Sequence, residues 1–248
     1  MSPDPILSVR DLAVSFGGIR VVEGLDFEVS AGQTLALLGP SGCGKSTLLR
    51  VLAGFEDADG GVVELGGEPV RGPSPERGMV AQAGTLFPWL SLRENLAYGP
   101  RQAGRRDVSG VVDALVRATG LSGFDQALPR ELSGGMRQRA AIAQVLANRP
   151  PVLLLDEPFG SLDAQTRLGM HEWFRRLLGE RPTTVVLVTH DVDEALLLGD
   201  RLGLLSPRPT RVVETIDLDL GQERGRATLS DPRFVALKAD VLERVLNT

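Results

Sequence analysis

The stretch Gly39-Pro40-Ser41-Gly42-Cys43-Gly44-Lys45-Ser46 decides the fold of this chain, because it lies between an apolar run, Leu35–Leu38, and a helical pattern that begins at Thr47. The apolar run predicts a buried strand, and the glycines allow the backbone to wind tightly around an anion. The helix that follows directs its N-terminal amides at the same point. Together they predict a phosphate-binding loop for a nucleoside triphosphate.

The side chains of this loop are expected to contact different parts of the bound nucleotide. Lys45 is expected to reach the β- and γ-phosphates, and the hydroxyl of Ser46 is expected to be a ligand of a Mg²⁺ ion that keeps several waters. Thr47 would support the α- and β-phosphates. Cys43 is the single cysteine, which excludes an intramolecular disulfide and a cysteine-based zinc site, and we expect it to be a small packed residue.

Composition indicates a globular chain of one domain. Its 248 residues are 42% hydrophobic, enough to bury a substantial core. The balance of 27 basic against 32 acidic residues argues against a surface that wraps nucleic acid, although a local basic patch stays open. No apolar stretch approaches the ~18 residues needed to cross a bilayer, and the first residues show no signal-peptide pattern. We therefore expect a cytosolic chain that reaches a membrane only through a partner.

The N-terminal part alternates with period two and predicts short antiparallel strands. These strands are expected at Leu7–Val9, Ala13–Phe16 and Leu25–Val29, with a hairpin at Gly60–Gly67. From Phe87 to about Leu132 the pattern becomes helical, and Ser91 with Glu94 predicts a capping box. We expect a helical subdomain inserted at about residues 87–140.

Strands alternate with helices in the second half of the chain. They are predicted at Gly78–Gln82, Val152–Leu155, Val185–Thr189 and Arg201–Leu205. This alternation predicts a parallel sheet with helices on its faces. The fold class is therefore α/β, a phosphate-loop NTPase core with a parallel sheet, an N-terminal antiparallel β subdomain and the inserted helical subdomain. Residues 1–248 form one domain whose tail, about 207–248, packs on the core.

Two carboxylates end one of the predicted strands. Asp156 and Glu157 directly follow Val152–Leu155, at the edge of an open α/β sheet where ligands collect. Asp156 can hold the magnesium ion through its water shell, and Glu157 can orient or polarise an attacking water. The pair predicts the acidic half of a nucleotide-hydrolysing site.

A second helix end suited to anions lies elsewhere in the chain. Ser133 is placed to cap a helix whose first residues, Gly134 and Gly135, permit close backbone approach. One nucleotide does not easily need two such ends from one subunit. His190 follows a strand and precedes a capping box from Asp191 to Glu194, which leaves its imidazole at the rim of the sheet, able to bind a γ-phosphate. His171 is interpreted as a surface or packing residue.

The order of these motifs resembles the ATP-binding cassette family, the ATPase subunits of ABC transporters, over nearly the whole chain. The resemblance implies a head-to-tail dimer, a homodimer or pseudo-homodimer, with two ATP molecules at the interface. Each ATP would lie between the phosphate loop of one subunit and the Ser133–Gly135 helix end of the other. The family pattern also assigns roles to four further residues. Phe16 would stack on adenine with Val21 nearby, Gln82 would join magnesium and water to the helical subdomain, and Asp163 would link the two sites.

Within the family, the chain is similar to the nitrate, sulfonate and taurine importer group. The similarity rests on residues 84–90, on Leu-Ser-Gly-Gly-Met-Arg-Gln-Arg from Leu132, on Ser206–Pro209 and on the Pro232-Arg233-Phe234 tail. It implies a membrane permease whose coupling helix meets Pro88-Trp89, an extracytoplasmic solute-binding protein, and a peripheral position on the cytoplasmic face of the inner membrane. Ala81 and Ala83-Gly84 depart from the group pattern.

Other ABC functions stay open at this point. A soluble ABC ATPase that acts on nucleic acid or ribosomes usually carries a long coiled-coil insertion or a second cassette, and neither is present. An export or cell-division subunit would have another membrane partner, and the Pro88-Trp89 segment and the tail favour import. A catalytically silent scaffold is disfavoured because Lys45, Glu157 and His190 are intact.

Overall fold

The computed structural model describes residues 5–82, 86–221 and 224–247, which form two β-sheets surrounded by helices. The strands are β1 Pro5–Phe16, β2 Ile19–Ser30, β3 Thr34–Leu38, β4 Gly60–Leu65, β5 Glu68–Pro69, β6 Arg77–Val80, β7 Val152–Asp156, β8 Thr184–Thr189, β9 Arg201–Leu205 and β10 Val212–Asp217. The helices are α1 Lys45–Ala53, α2 Leu92–Gln102, α3 Ser109–Thr119, α4 Gly134–Leu146, α5 Ala164–Glu180, α6 Val192–Leu198 and α7 Pro232–Leu246, with short 3₁₀ turns at Pro129–Glu131 and Arg226–Ser230.

The first sheet is antiparallel and has the order β2-β1-β4-β5. The predicted strands Leu7–Val9 and Ala13–Phe16 are parts of the single strand β1, whose register shifts at bulges between Val9 and Val14. The separation predicted from the sequence was therefore wrong, because a bulge interrupts the alternation without ending a strand. The turn at Gly17-Gly18 and the hairpin after Gly60 agree with the sequence.

The second sheet has the order β10-β9-β3-β8-β7-β6, and only β10 runs antiparallel to its neighbour. Its central strands β3, β7 and β8 are buried along their whole length. This explains why they appear in the sequence as continuous apolar runs rather than as alternating patterns. Because β3, β8 and β7 are adjacent and parallel, their carboxyl ends meet at one edge, where the polar residues after each strand come together.

The core has one apolar cluster on each face of this sheet. Leu37, Leu154 and Val186 face one cluster with α1 and the antiparallel sheet. The neighbouring strand residues, such as Leu38 and Leu155, face a second cluster built on α4, α5, α6 and α7. Among the described residues, no helix has the length and apolar character that would allow it to cross a membrane.

The helix ends have the capping residues predicted from the sequence, with one exception. Ser91 and Glu94 form the predicted capping box of α2, and Asp231 caps α7. At α6, Asp191 accepts from the backbone of Glu194 as expected, but its own backbone N–H donates to Thr189 Oγ1. The reciprocal half of the predicted box is absent there, and the buried carboxylate of Glu194 lies 3.6 Å from His171.

Candidate functional site

The loop between β3 and α1 is held against its surroundings at two glycines. A Cβ atom at Gly39 would lie 2.8 Å from Leu205 Cβ, and one at Gly44, where φ is +131°, would lie 2.7 Å from Val21 Cγ1. Only glycine fits this backbone path. Cys43 is buried in the loop, in agreement with its predicted packing role. The loop is therefore closely packed at these glycines, whereas residues 40–42 are exposed.

The side chain of Lys45 lies within the loop and is only 4% exposed. Its Nζ atom donates to the carbonyl oxygens of Gly39 and Pro40, both at 2.9 Å. The same ammonium lies 3.3 Å from Glu157 Oε1. A buried cation held by two neutral carbonyls and one carboxylate attracts further anionic groups. The loop thus places a fixed positive charge where phosphates would bind.

The two carboxylates at the end of β7 differ in their surroundings. Asp156 is buried, and its Oδ1 atom has no hydrogen-bond partner in the described part of the chain. Burial raises the pKa of Asp156, and the adjacent Glu157 charge adds to this, while a hydrogen bond with Ser46 and the charge of Lys45 oppose it. Glu157 has a positive φ of 43°, a strained conformation for a residue other than glycine.

This strained turn places Glu157 between two cationic or titratable groups. Its Oε2 atom lies 3.0 Å from His190 Nδ1, and its Oε1 atom contacts Lys45. His190 is half exposed at the end of β8. Glu157 and His190 directly follow β7 and β8, and Lys45 opens the helix that follows β3, so the parallel sheet sets their spacing. Lys45, Glu157 and His190 form one contiguous cluster, which we call the catalytic cluster after the roles predicted for these residues from the sequence.

The oxygen atoms near Ser46 suit a divalent cation. A buried carboxylate oxygen without a partner and a neighbouring serine hydroxyl are the hard ligands that magnesium prefers. Across the described ranges, no group of three His, Cys, Asp or Glu side chains could hold a metal. A site with one carboxylate and one hydroxyl therefore fits an ion that keeps waters and uses phosphate oxygens.

The opposite side of the loop is closed by the segment before β10. Thr210 is fully buried, and its hydroxyl donates to the carbonyl oxygen of Cys43. Its backbone exchanges bonds with β2, to Val21 O at 2.8 Å and from Glu23 N at 3.2 Å. Thr210 could not be predicted as part of the site, because a threonine after Pro209 carries no sequence pattern that would connect it with a loop more than 160 residues earlier.

Phe16 and Val21 lie on the same hairpin, formed by β1 and β2, and Val21 contacts this loop. Phe16 ends β1 and is 46% exposed, so its ring is open to a ligand rather than packed in the core. Val21 is buried against Gly44. An exposed aromatic ring provides a surface on which a planar base can stack.

The second helix end lies apart from the catalytic cluster. Ser133 caps α4 and accepts from Met136 N at 3.3 Å, as predicted. Within the ranges that the structure covers, no hydrogen bond or ion pair connects Ser133, Gly134 or Gly135 with the phosphate loop. This helix end instead packs beside the start of α5, where a Cβ atom at Gly135 would lie 3.0 Å from Thr166 Cγ2.

Asp163 and Gln82 are near this second helix end. Asp163 caps α5, and the hydrogen bonds from Thr166 lower its pKa. Gln82 is exposed and lines a cavity of about 240 Å³ together with Gly134 and Ser161. Gln82 is therefore beside the α4 end, and among the described residues it makes no hydrogen bond with Asp156 or Ser46. Residues 83–85, part of the importer-group segment, lie outside the described residues.

The chain is similar to known proteins over most of its length. The family model described as ABC transporter matches residues 22–160. The taurine import ATP-binding protein TauB of Jannaschia sp. (strain CCS1) is 43% identical over 247 residues, covering 95% of this chain and 92% of that protein. The protein of the same name from Yersinia pestis bv. Antiqua (strain Antiqua) is 43% identical, and the one from Escherichia coli O6:K15:H31 is 40% identical, each over 97% of both chains.

The chain belongs to the ABC transporter ATP-binding family. The predicted α/β phosphate-loop fold is confirmed, as is the resemblance to this family. The protein is an ABC-type ATPase subunit that uses ATP.

Proposed function

We propose that this ATPase drives an importer for taurine or a related small sulfonate, with nitrate as the other solute of the group. The similar proteins named as taurine import subunits support the solute class. The observation that carries the chemistry is the catalytic cluster, in which Glu157 lies within 3.3 Å of Lys45 and within 3.0 Å of His190.

In this proposal, the γ-phosphate of ATP binds between Lys45 and His190. Lys45 would exchange its carbonyl partners in the loop, Gly39 and Pro40, for phosphate oxygens. The amides of residues 41–47 would surround the β-phosphate, and Thr47 would support the α-phosphate side. Phe16 would stack on the adenine ring while Val21 holds the loop from below.

Glu157 is the proposed general base. Its carboxylate would accept a proton from the water that attacks the γ-phosphate in line, and His190 would hold the phosphate and the carboxylate in register. Lys45 would stabilise the negative charge that develops on the phosphate oxygens. The contacts with Lys45 and His190 hold the carboxylate in this position, and such contacts sustain the strained backbone of Glu157.

Ser46 and Asp156 are the proposed protein ligands of magnesium, with Gln82 as a third group that approaches when ATP is bound. Magnesium at this position would supply a charge that neutralises the phosphate oxygens. The unpartnered Oδ1 atom of Asp156 supports the assignment, since a buried carboxylate oxygen is costly without a partner. Gln82 would have to move from its present position beside Gly134.

A head-to-tail dimer would supply the groups that one chain lacks. Ser133, Gly134 and Asp163 are exposed and lie together on the surface. An exposed helix N-terminus that contacts no anion in its own chain is suited to the ATP of a second chain. In the dimer, Ser133–Gly135 of one chain would close over the phosphate loop of the other, with two ATP molecules between them.

The helical subdomain, about residues 87–140, is the proposed contact with the permease. Trp89 is 72% exposed, and its ring lies 5.7 Å from the ring of Phe87, which also contacts Tyr98. A cavity of about 270 Å³ opens beside Phe87 and Tyr98 and reaches Met79 and Asn148. An exposed aromatic cluster beside an open groove fits an inserted helix of a membrane partner. The chain would then lie on the cytoplasmic face of the membrane, and the permease would receive solute from an extracytoplasmic binding protein.

Affinity purification tests this proposal. Tagged Glu157→Gln protein would be isolated from detergent-solubilised cells with ATP, and Lys45→Ala protein would serve as the matched control that cannot hold the nucleotide. We expect a multi-span permease to co-purify, and the associated binding protein to bind taurine or another sulfonate. Recovery of ribosomes or of DNA-repair proteins, without a membrane protein, would contradict the import function but not the ATPase chemistry.

A further inference from the structure

A cavity far from the catalytic cluster lies between α5 and the segment that follows β10. It has a volume of about 540 Å³. Its polar lining consists of Glu172, Arg175, Arg176, Arg224, Arg226 and Thr228. Among the described residues of the lining, four arginines accompany one carboxylate, Glu172, and outside the lining Asp200 lies 3.9 Å from Arg175, in a chain whose net charge is −5. This is a local concentration of positive charge that the overall composition conceals.

Glu172, the carboxylate among the described lining residues, is already engaged. Glu172 Oε1 accepts the backbone N–H of Arg226 at 2.9 Å, which fixes the 3₁₀ turn against α5. Thr228 Oγ1 accepts from Gly225 N at 3.0 Å. Because this hydroxyl accepts one bond from the backbone, its own proton stays available to donate into the cavity.

Arg224 fixes a positive charge at the base of the cavity. It is 7% exposed, and its guanidinium donates to the carbonyl oxygens of Leu196 at 2.9 Å, Leu218 at 3.1 Å and Gly221 at 2.9 Å. In the part of the chain that the structure describes, its hydrogen-bond acceptors are neutral carbonyls. Burial, and then the nearby charge of Arg175, lower the pKa of Arg224 to about 10, while Asp200 and Asp219 act in the opposite direction.

We propose that this cavity binds a small tetrahedral oxyanion of the sulfate, phosphate or sulfonate type. Arg176 and Arg226 are exposed and would close on the anion, while the hydroxyl of Thr228 donates a further bond. Arginine forks match the geometry of oxyanions, and such charge-assisted bonds are stronger than neutral ones. Arg224 supplies the fixed field that favours an anion over a neutral ligand.

A bound anion would tie α5 to the C-terminal segment. Glu172, Arg175 and Arg176 belong to α5, and the carbonyls that hold Arg224 belong to α6 and to the segment after β10. An anion that binds only the folded chain raises the free energy of unfolding in proportion to the logarithm of its concentration. A bound anion is therefore expected to stabilise the packing of the C-terminal segment against α5.

Calorimetric titration tests the site. Because the phosphate loop itself attracts oxyanions, the wild-type protein would first be saturated with magnesium and β,γ-imido-ATP. Sodium sulfate, sodium phosphate and taurine would then be titrated separately at constant ionic strength. We expect one additional anion to bind per chain. Preference among the three titrants would distinguish an inorganic anion from a sulfonate solute.

Arg226→Gln and Arg176→Gln are the test variants, and both side chains are exposed, so the fold does not depend on them. Loss of either charge-assisted contact is expected to weaken binding roughly tenfold. Arg71→Gln, an exposed arginine outside this cavity, is the matched control and is expected to bind like the wild type. Equal affinity in all variants, or oxyanion binding only before nucleotide is added, would overturn the proposal.

Discussion

Replacement of Thr210 by valine tests how the phosphate loop is held in shape. The substitution keeps the volume of the side chain but removes the hydroxyl that donates to the carbonyl of Cys43. Both groups are buried, so the carbonyl would lose its partner without gaining water. Leaving a buried acceptor unsatisfied costs about 1–3 kcal/mol. For a chain of this size, that corresponds to a fall of roughly 2–12 °C in the unfolding midpoint.

The assay combines thermal unfolding with steady-state ATP hydrolysis. We expect Thr210→Val to lower the midpoint and to raise KM for ATP, because a loosened loop holds the phosphates less well. Thr210→Ser keeps the hydroxyl, so its unfolding midpoint should fall much less than that of Thr210→Val. Thr215→Val changes an exposed threonine of β10 and is the matched control. If Thr210→Val and Thr215→Val unfolded at the same temperature with the same KM, the bond to the loop would have no role.

Three further predictions concern the site and the permease surface. Glu157→Gln should reduce hydrolysis by roughly 10²–10⁴-fold while ATP binding persists, and undiminished turnover would remove this residue from its role as base. Burial raises the pKa of Asp156, so its ionised form destabilises the nucleotide-free fold. The free energy of unfolding is therefore highest below the ordinary carboxyl pKa and falls as pH rises through the raised pKa of Asp156. Asp156→Asn should therefore raise the unfolding midpoint at pH 7 without nucleotide, by an amount that shrinks toward acid pH, and a pH-independent difference would contradict this. Trp89→Ala should leave the unfolding midpoint unchanged but reduce permease co-purification, and full retention would place the permease contact elsewhere.

Much of the fold could be predicted because its elements carry local signals. The buried strands β3, β7 and β8 are apolar runs of strand length, and Gly54 ends α1 in the left-handed conformation, as a helix-terminating glycine should. The bulged strand β1 could not be predicted as one element, since its register shifts are set by pairing with β2 and β4.

The catalytic cluster was predictable residue by residue, but its geometry was not. Lys45, Glu157 and His190 each follow a strand, and the parallel order of those strands brings them together. The contact between Thr210 and the phosphate loop depends on how a distant segment folds back, for which the sequence has no local signal. The arginine-lined cavity could not be predicted from the sequence either, because Glu172 and Arg226, which join its two sides, are 54 residues apart.

Light scattering of Glu157→Gln protein with and without ATP and magnesium tests the central claim most directly. The claim is that the phosphate loop of one chain and the Ser133 helix end of another complete one ATP site. We expect the mass of two chains with ATP and of one chain without it. With Ser133→Arg added, we expect one chain that still binds ATP. A protein that stays monomeric at saturating ATP, or a Ser133→Arg monomer that no longer binds it, would contradict this account.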